Sequence, residues 1–295
     1  MGREVCYCSA LAVNSMNKVV LLTGANGFVG SQILKVLLEL NVLVRCIVRE
    51  GSVSKLPTQS DSLESLVFTK DLFNENEEWW EKSLQNVDTV IHAAWYAEHG
   101  KYLQSPKNID CLQGTLRLAK GAARAGVRRM VGIGTCAEYQ TSSQKLTTEN
   151  PLNPLSPYAA AKAAAFLCLS QWLPPQGIEF AWCRLFYLHG EGEDPRRLIP
   201  FLRERLALGK PVELTSGNQI RDFLDVKTVA HQIVQAALGS TTGALNIASG
   251  IPASVRKIAE SIADEYGRRD LLLFGARADN PFDPPYVVGA PSLLN

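Results

Sequence analysis

Short apolar runs alternate with helix-like segments through the first two thirds of the chain. Uninterrupted runs rich in β-branched residues are typical of buried parallel strands, and they occur at residues 19–23, 42–48, 66–69, 89–92, 129–134 and 180–185. Between them, apolar residues recur every three or four positions, as in Ile33, Leu34, Leu37 and Leu38, which predicts amphipathic helices. The alternation predicts an α/β protein with a doubly wound parallel sheet that helices cover on both faces.

The pattern changes after residue 186. Helices are predicted near residues 196–208, 227–238 and 254–266, with short strands at 212–214, 222–224 and 245–247. We expect residues 1–15 to form an irregular N-terminal extension and residues 16–186 to form the domain with the main sheet. Residues 187–295 would form mainly a smaller C-terminal α/β lobe, some of whose segments could return to that sheet. Such a lobe would cap the carboxyl edge of the sheet, where open α/β folds bind ligands.

Composition narrows the range of functions. The chain has 295 residues, 46% of them hydrophobic, and a formal net charge of +1. This balance offers no electrostatic basis for binding nucleic acid or an anionic membrane. The seven cysteines form no C-x-x-C pair, which favours free thiols in a reducing cytoplasm and no metal site. A homodimer is possible.

A glycine-rich turn links the first predicted strand to the first predicted helix. Its residues are Gly24, Ala25, Asn26, Gly27, Phe28, Val29 and Gly30. In a Rossmann-type sheet the first glycine makes the tight turn, the second lets a pyrophosphate approach the backbone, and the third lets the helix pack on the strand. The phosphates then lie at the positive end of the helix. The turn therefore predicts a dinucleotide site, although a glycine-rich turn can also form without a ligand.

The strongest catalytic pattern is a tyrosine four residues before a lysine. Pro157 suits the start of a helix and the alanines after it favour helix, so Tyr158 and Lys162 would share one helix face. A nearby ammonium would lower the pKa of Tyr158 and make it a usable general acid or base. Thr135, at the end of a predicted strand, could hydrogen-bond the same substrate oxygen. The same residues could also form a surface Tyr–Lys pair and a strand-end cap.

These segments carry a family resemblance. Thr23-Gly24-x-x-Gly27-x-x-Gly30 resembles the fingerprint of the extended short-chain dehydrogenases/reductases, and Pro157-Tyr158-x-x-x-Lys162 resembles their catalytic motif. Further along, Arg221-Asp222-Phe223 resembles the R-D-F segment of enzymes that act on nucleotide sugars. Taken together, the chain resembles the NAD-dependent epimerase/dehydratase family, the sugar-nucleotide members of that group.

The resemblance implies roles for further residues. It places Asp71 and Leu72 at the adenine, Ala93 and Ala94 beneath the cofactor, and Arg221 at the diphosphate of a sugar nucleotide. It further suggests substrate contacts from three positions, namely Trp95, Cys136 and Tyr187. The chain also departs from the family pattern: Cys111 stands where an Asn is usual, and Tyr187 and His189 stand where an Asn and a Tyr are usual.

The end of the second predicted strand bears on the cofactor. NAD-binding Rossmann domains usually place an acidic residue there, on the ribose 2′-hydroxyl. Here the strand runs into Arg49, which would suit the 2′-phosphate of NADPH, and Ser52 could add a hydroxyl. We therefore favour NADPH as the cofactor. Glu50 keeps NAD possible.

The residues after Thr135 bear on the reaction. The resemblance implies that a 4,6-dehydratase would carry an Asp-Glu pair there, whereas this chain has Cys136 and Ala137. We expect an NADPH-dependent reductase of a nucleotide-linked 4-keto-6-deoxyhexose. An NAD-dependent sugar-nucleotide 4-epimerase is the alternative, and a 3- or 5-epimerase with Cys136 as a reactive proton donor ranks third. A dinucleotide-binding sensor or scaffold without turnover is the alternative outside enzymes.

Overall fold

The computed structural model describes residues 18–52, 56 and 60–295. The predicted extension at residues 1–15 lies outside this range. The strands are β1 (Val19–Thr23), β2 (Leu43–Arg49), β3 (Leu63–Thr69), β4 (Val87–His92), β5 (Arg129–Thr135), β6 (Glu179–Leu185), β7 (Tyr187–His189), β8 (Val212–Leu214), β9 (Ile220–Asp225), β10 (Gly243–Ile247), β11 (Pro252–Ser254), β12 (Leu272–Phe274) and β13 (Tyr286–Val287). The helices are α1 (Phe28–Glu39), α2 (Glu77–Ser83), α3 (Lys107–Arg124), α4 (Pro157–Trp172), α5 (Leu198–Ala207), α6 (Val226–Leu238) and α7 (Val255–Tyr266).

Seven strands form one parallel sheet in the order β10-β6-β5-β4-β1-β2-β3. The order reverses direction between β1 and β4, and this switch point is where open α/β sheets bind ligands. One apolar core lies between the sheet and the pair α1 and α6. A second core lies on the other face, against α2, α3 and α4. The predicted Rossmann-type doubly wound fold is confirmed.

The C-terminal third contributes to two bodies. Strand β10 pairs with β6 and α6 packs on α1, so both belong to the body that contains the main sheet. The remaining elements form the smaller lobe: β9 pairs with β7, β11 and β13, β8 pairs with β12, and α5 and α7 enclose a small apolar core. The proposed domain boundary at residue 186 stays a prediction. Residues 226–247, which follow it, lie mostly with the body that contains the main sheet.

Some elements were not predicted from the sequence. Helix α2 has only seven residues and depends on a cap, in which the Asn76 side chain accepts from the Trp79 N–H at 2.8 Å, and on the fully buried Trp80. The short strands β7, β11, β12 and β13 form only where a distant partner strand lies beside them. Their two or three residues carry no period that a sequence pattern could display.

Candidate active site

The glycine turn forms as the sequence predicts. Gly24 has φ of +76°, and a Cβ there would lie 2.7 Å from the backbone nitrogen of Ala94. A Cβ on Gly30 would overlap the carbonyl oxygen of Gly24. Gly27 differs, because a Cβ there would meet only that same oxygen, at 3.2 Å. The protein itself therefore requires glycine at positions 24 and 30, whereas Gly27 leaves backbone uncovered where α1 begins.

The turn is tied to the end of β2. Nδ2 of Asn26 donates to the backbone oxygen of Ser52 at 3.0 Å and to its hydroxyl at 2.9 Å. Ser52 in turn donates its hydroxyl to the backbone oxygen of Arg49 at 2.6 Å. The Arg49 side chain is exposed and has no ion pair among the described residues. The Arg49 guanidinium thus lies near the glycine turn and has no carboxylate partner in the described part of the chain.

Four other predicted cofactor contacts lie at the start of α1 and just after β3. Phe28 and Val29 are the first two residues of α1. Asp71 follows β3, and its carboxylate accepts from the Phe73 N–H and from the Asn74 amide, both at 3.0 Å. Leu72 lies against the apolar core on the α2–α4 face of the sheet. The Asp71 carboxylate therefore also holds its own turn.

A directed chain of hydrogen bonds joins β1, β4 and α3. The Ala94 N–H donates to the Thr23 hydroxyl at 3.2 Å, and that hydroxyl lies 2.8 Å from Nδ1 of His92. Nε2 of His92 lies 2.9 Å from the Thr115 hydroxyl, which donates to the backbone oxygen of Cys111 at 2.8 Å. The order of donors places the proton of the imidazole on Nε2. Burial, with Lys162 nearby, lowers the pKa of His92 to about 3, so this histidine is neutral and structural.

The three predicted catalytic residues come together at the carboxyl edge of β5. Thr135 ends β5, and Ser156 caps α4 by accepting from the Ala159 N–H at 3.2 Å. The cap starts α4 so that Tyr158 faces the end of β5, where Thr135 lies close enough to its hydroxyl to lower the pKa of Tyr158. Lys162, one turn later, is buried and donates from Nζ to the backbone oxygen of Ile133 at 2.6 Å.

The sequence predicts that Lys162 lowers the pKa of Tyr158, and this prediction is wrong. Burial raises the pKa of Tyr158 above its ordinary value, with further contributions from Tyr102 and Glu138, and Thr135 offsets this rise only in part. Burial also lowers the pKa of Lys162 to about 7. The ammonium faces the Ile133 oxygen and the indole of Trp95, whose centroid is 3.8 Å from Nζ. Among the described residues, Nζ of Lys162 makes no hydrogen bond to the Tyr158 hydroxyl.

Cys136 lies beside the catalytic residues but is not activated. Burial raises the pKa of its thiol to about 12, although Arg221 acts in the opposite direction. The thiol is therefore protonated at neutral pH and is not a thiolate, and its role as a proton donor stays a prediction. Ala137 follows it and is exposed. Neither position supplies a carboxylic acid or a carboxylate base.

A buried ion pair that the sequence did not predict lies behind Thr135. Oε1 of Glu138 accepts from the Thr135 N–H at 2.8 Å, and Oε2 accepts from Nε of Arg184 at 2.7 Å. Trp182 donates its indole N–H to Oε1 of Glu138 at 3.0 Å. Both charged side chains are almost completely buried. Glu138 therefore fixes the end of β5 and is fully engaged as an acceptor.

The smaller lobe adds a cavity of about 370 Å³, which Tyr187 lines just after the end of β6. Four arginines line it, namely Arg196, Arg197, Arg221 and Arg277. Arg221 is buried, lies 2.7 Å from a carboxylate oxygen of Asp283, and has its guanidinium carbon 5.2 Å from the ring centroid of Tyr187. The structure thus brings the predicted Tyr187 and Arg221 together in a cavity whose lining also includes the carboxylates of Glu193, Glu213 and Asp283.

Two findings bear on other site types. No three His, Cys, Asp or Glu side chains converge as a metal site within residues 18–52, 56 and 60–295. None of the described helices is both long enough and apolar enough to cross a bilayer.

Comparison with known proteins identifies the family. A model described as the NAD dependent epimerase/dehydratase family matches residues 20–248. The chain belongs to this family. It is an NAD(P)-dependent enzyme of the extended short-chain dehydrogenase/reductase type, in a family that acts on nucleotide sugars.

Two curated relatives span most of the chain. A dTDP-6-deoxy-L-talose 4-dehydrogenase (NAD(+)) from Aggregatibacter actinomycetemcomitans is 24% identical over 274 residues, which cover 92% of this chain and 99% of that protein. A putative UDP-glucose 4-epimerase from Methanocaldococcus jannaschii is 26% identical over 267 residues, covering 87% and 85% of the two chains.

Solved structures share the fold. A UDP-N-acetylglucosamine 4-epimerase from Methanobrevibacter ruminantium, in complex with UDP-N-acetylmuramic acid, superposes with a TM-score of 0.82 at 24% identity, covering 94% of this chain and 90% of that one. A UDP-glucose 4-epimerase from Thermus thermophilus, in complex with NAD, gives a TM-score of 0.78 at 25% identity and covers 92% and 90%.

The glycine turn yields a paired test. We expect Gly30→Ala to destabilise the protein by about 1–3 kcal/mol, because the new Cβ overlaps the Gly24 carbonyl. Gly27→Ala should cost less than about 1 kcal/mol but weaken dinucleotide binding, because its Cβ projects where the phosphates approach. Urea unfolding and fluorescence titration with NADPH measure the two effects. Equal losses of stability, or unchanged affinity in Gly27→Ala, would contradict this division of roles.

Proposed function

We propose that the enzyme reduces the 4-keto group of a 6-deoxyhexose carried on a nucleoside diphosphate, with NADPH as the hydride donor. The observation that carries the proposal is the convergence of Thr135, Tyr158 and Lys162 at a strand end followed by Cys136 and Ala137. A ketone reduction needs one proton donor, one hydride donor and a group that orients the carbonyl. Loss of water from the sugar would also need an acid and a base at the two positions after Thr135.

The proposed reaction assigns a role to each of the three catalytic residues. A bound nicotinamide dinucleotide would supply the hydride that C4 of the sugar accepts. Tyr158 transfers its hydroxyl proton to the C4 oxygen as negative charge develops there. The Thr135 hydroxyl orients that oxygen, and the Lys162 ammonium holds the cofactor and supplies positive charge near the reacting atoms. The raised pKa of Tyr158 keeps it protonated before hydride transfer, as a proton donor requires.

One curated relative supports this reaction class. The name of the Aggregatibacter actinomycetemcomitans protein describes oxidation at C4 of a dTDP-linked 6-deoxy sugar, which is the reverse of the reduction proposed here. The same name specifies NAD(+), and the Thermus thermophilus structure is described with NAD. Our preference for NADPH therefore rests on Arg49, the exposed cation at the end of β2.

A 4-epimerase is the second candidate, because the Methanocaldococcus jannaschii relative carries that name. The two activities differ in their use of cofactor. A reductase consumes NADPH in proportion to product, whereas an epimerase interconverts two sugar nucleotides without added cofactor. We expect stoichiometric NADPH oxidation with dTDP-4-keto-6-deoxyhexoses and no conversion of UDP-glucose when cofactor is omitted. Conversion of UDP-glucose without added cofactor, and no NADPH oxidation, would favour the epimerase.

Arg49 is expected to determine the cofactor preference. Arg49→Ala should weaken NADPH binding by about 1.5–3 kcal/mol, because a charged hydrogen bond to the 2′-phosphate is lost, and should leave NADH binding nearly unchanged. Isothermal titration with both cofactors measures this. Glu50→Gln, at the neighbouring exposed charge, is the matched control and should keep the preference for NADPH. Equal losses with both cofactors in Arg49→Ala would remove the basis for NADPH.

Tyr158 is expected to be the proton donor. Tyr158→Phe should lower kcat by roughly 10²–10⁴-fold, which is the usual contribution of general acid catalysis, with cofactor affinity little changed. Tyr96→Phe is the matched control, because the Tyr96 hydroxyl donates to Glu98 at 2.8 Å on the protein surface and touches none of the three catalytic candidates. Steady-state rates of NADPH oxidation distinguish the two variants. A near-normal rate in Tyr158→Phe would exclude this role.

Arg221 is expected to bind the diphosphate of the substrate. Arg221→Ala should raise KM for the sugar nucleotide by about 10-fold or more, because a charge-assisted bond is worth about 1.5–3 kcal/mol. It should not change the already poor rate with the free 4-keto sugar, since remote binding energy supports the chemical step. The measurement is kcat/KM for both substrates in both proteins. Equal losses for the two substrates would separate Arg221 from the diphosphate.

A further inference from the structure

Asn108, near the start of α3, forms hydrogen bonds through both the oxygen and the nitrogen of its side-chain amide. The residue has no exposed surface. Its Oδ1 accepts from Nε1 of Trp95 at 2.9 Å, and its Nδ2 donates to the backbone oxygens of Tyr102 at 2.7 Å and Ser105 at 2.9 Å. Because the indole can only donate and the two carbonyls can only accept, the orientation of the amide is fixed.

The groups that Asn108 holds are those that lie against the catalytic pair. The Trp95 ring centroid is 3.8 Å from Nζ of Lys162, and the ring stands edge-on to Tyr158 at 6.5 Å. The Tyr102 ring meets Tyr158 edge-on, with centroids 4.8 Å apart and planes at 89°. One amide therefore fixes the aromatic neighbours of both side chains.

We propose that Asn108 is a positioning residue for Tyr158 and Lys162, acting through Trp95 on the lysine and through Tyr102 on the tyrosine. The inference rests on the proposed function, in which this pair carries the chemistry. Asn108 stands one helical turn before Cys111, whose sulfur accepts the Tyr96 N–H at 3.4 Å. The cysteine makes no hydrogen bond to Lys162 among the described residues, and the Asn108 amide acts on the pair through its bonds to Trp95 and to the Tyr102 backbone.

The first experiment needs no substrate. Acrylamide quenching of tryptophan fluorescence is measured for the wild-type protein and for Asn108→Ala, each with and without Trp95→Phe, so that the difference within each pair isolates Trp95. We expect Trp95 to become more accessible to acrylamide in Asn108→Ala, because its indole loses its hydrogen-bond partner. An unchanged Trp95 contribution would show that Asn108 does not hold the ring.

The second experiment measures catalysis with NADPH and dTDP-4-keto-6-deoxyhexose. Asn108→Ala and Trp95→Phe should each lower kcat by about 10- to 100-fold, the scale of a small misplacement of reacting groups, with KM for NADPH changed by less than about threefold. The double variant should be little worse than the more damaged single variant, because both changes break one linkage. Losses that multiply would overturn the linkage through Trp95.

A matched control separates positioning from loss of stability. Leu118 lies on the same helix, is fully buried and packs in the core on that face of the sheet. Leu118→Ala should lower Tm by at least as much as Asn108→Ala and, assayed well below that Tm, keep kcat within about twofold of wild type, because the cavity lies away from the reacting groups. An equal loss of kcat in Leu118→Ala would reduce Asn108 to a structural role.

The two experiments also separate the inference from the function on which it rests. If the wild-type protein reduces none of the keto sugars, the proposed function fails, and the quenching result still shows whether Asn108 holds Trp95. If the wild-type protein is active and Asn108→Ala keeps its kcat, the positioning role alone is wrong.

Discussion

The site is organised around a buried ammonium. Lys162 has almost no exposed surface, and an isolated charge in such a place is costly. Its neighbours compensate in part, through the Ile133 carbonyl at 2.6 Å and the face of Trp95 at 3.8 Å. Because the compensation is incomplete, burial lowers the pKa of Lys162 to about 7. The bond from Lys162 to Ile133 ties α4 to β5 one helical turn after Tyr158.

The support for that ammonium comes from the strands beneath it. Gly132 and Gly134 leave the space that the Trp182 ring fills, since a Cβ on either would overlap the indole. Trp182 then donates to Glu138 at 3.0 Å, and Glu138 binds Arg184 on the same strand as the tryptophan. Removing one partner of such a buried pair typically costs about 3–5 kcal/mol. Gly132 and Gly134 thus make room for a side chain beneath the site. The glycines of the turn after β1 instead allow backbone segments to approach each other closely.

The sequence predicted the parts of the site that one local segment defines. The turn from Gly24 to Gly30 and the Tyr158–Lys162 spacing are each set by a single strand–turn–helix or helix, so a pattern reveals them. Tyr102 and Asn108 were missed because they lie at a loop and a helix start without an apolar period, and Tyr102 meets Tyr158 only in the folded chain. Asn108 did leave one signal. The family resemblance implies an asparagine at the position of Cys111, and Asn108 lies one helical turn before that position.

The pKa of Tyr158 could not be predicted from spacing alone. A tyrosine and a lysine four residues apart share a helix face, but the sign of the shift depends on how far each is buried and on where the ammonium points. Here the helix is covered by Trp95 and Tyr102, so desolvation outweighs attraction. The lowered pKa of Lys162 also affects stability. Between about pH 7 and the ordinary lysine pKa of 10.5, the unfolded chain binds this proton more readily than the folded chain. The contribution of Lys162 to folding therefore becomes less favourable as the pH falls through that range, and levels off below about 7. At neutral pH the folded protein therefore holds a lysine side chain that is only partly protonated beside a tyrosine that is protonated.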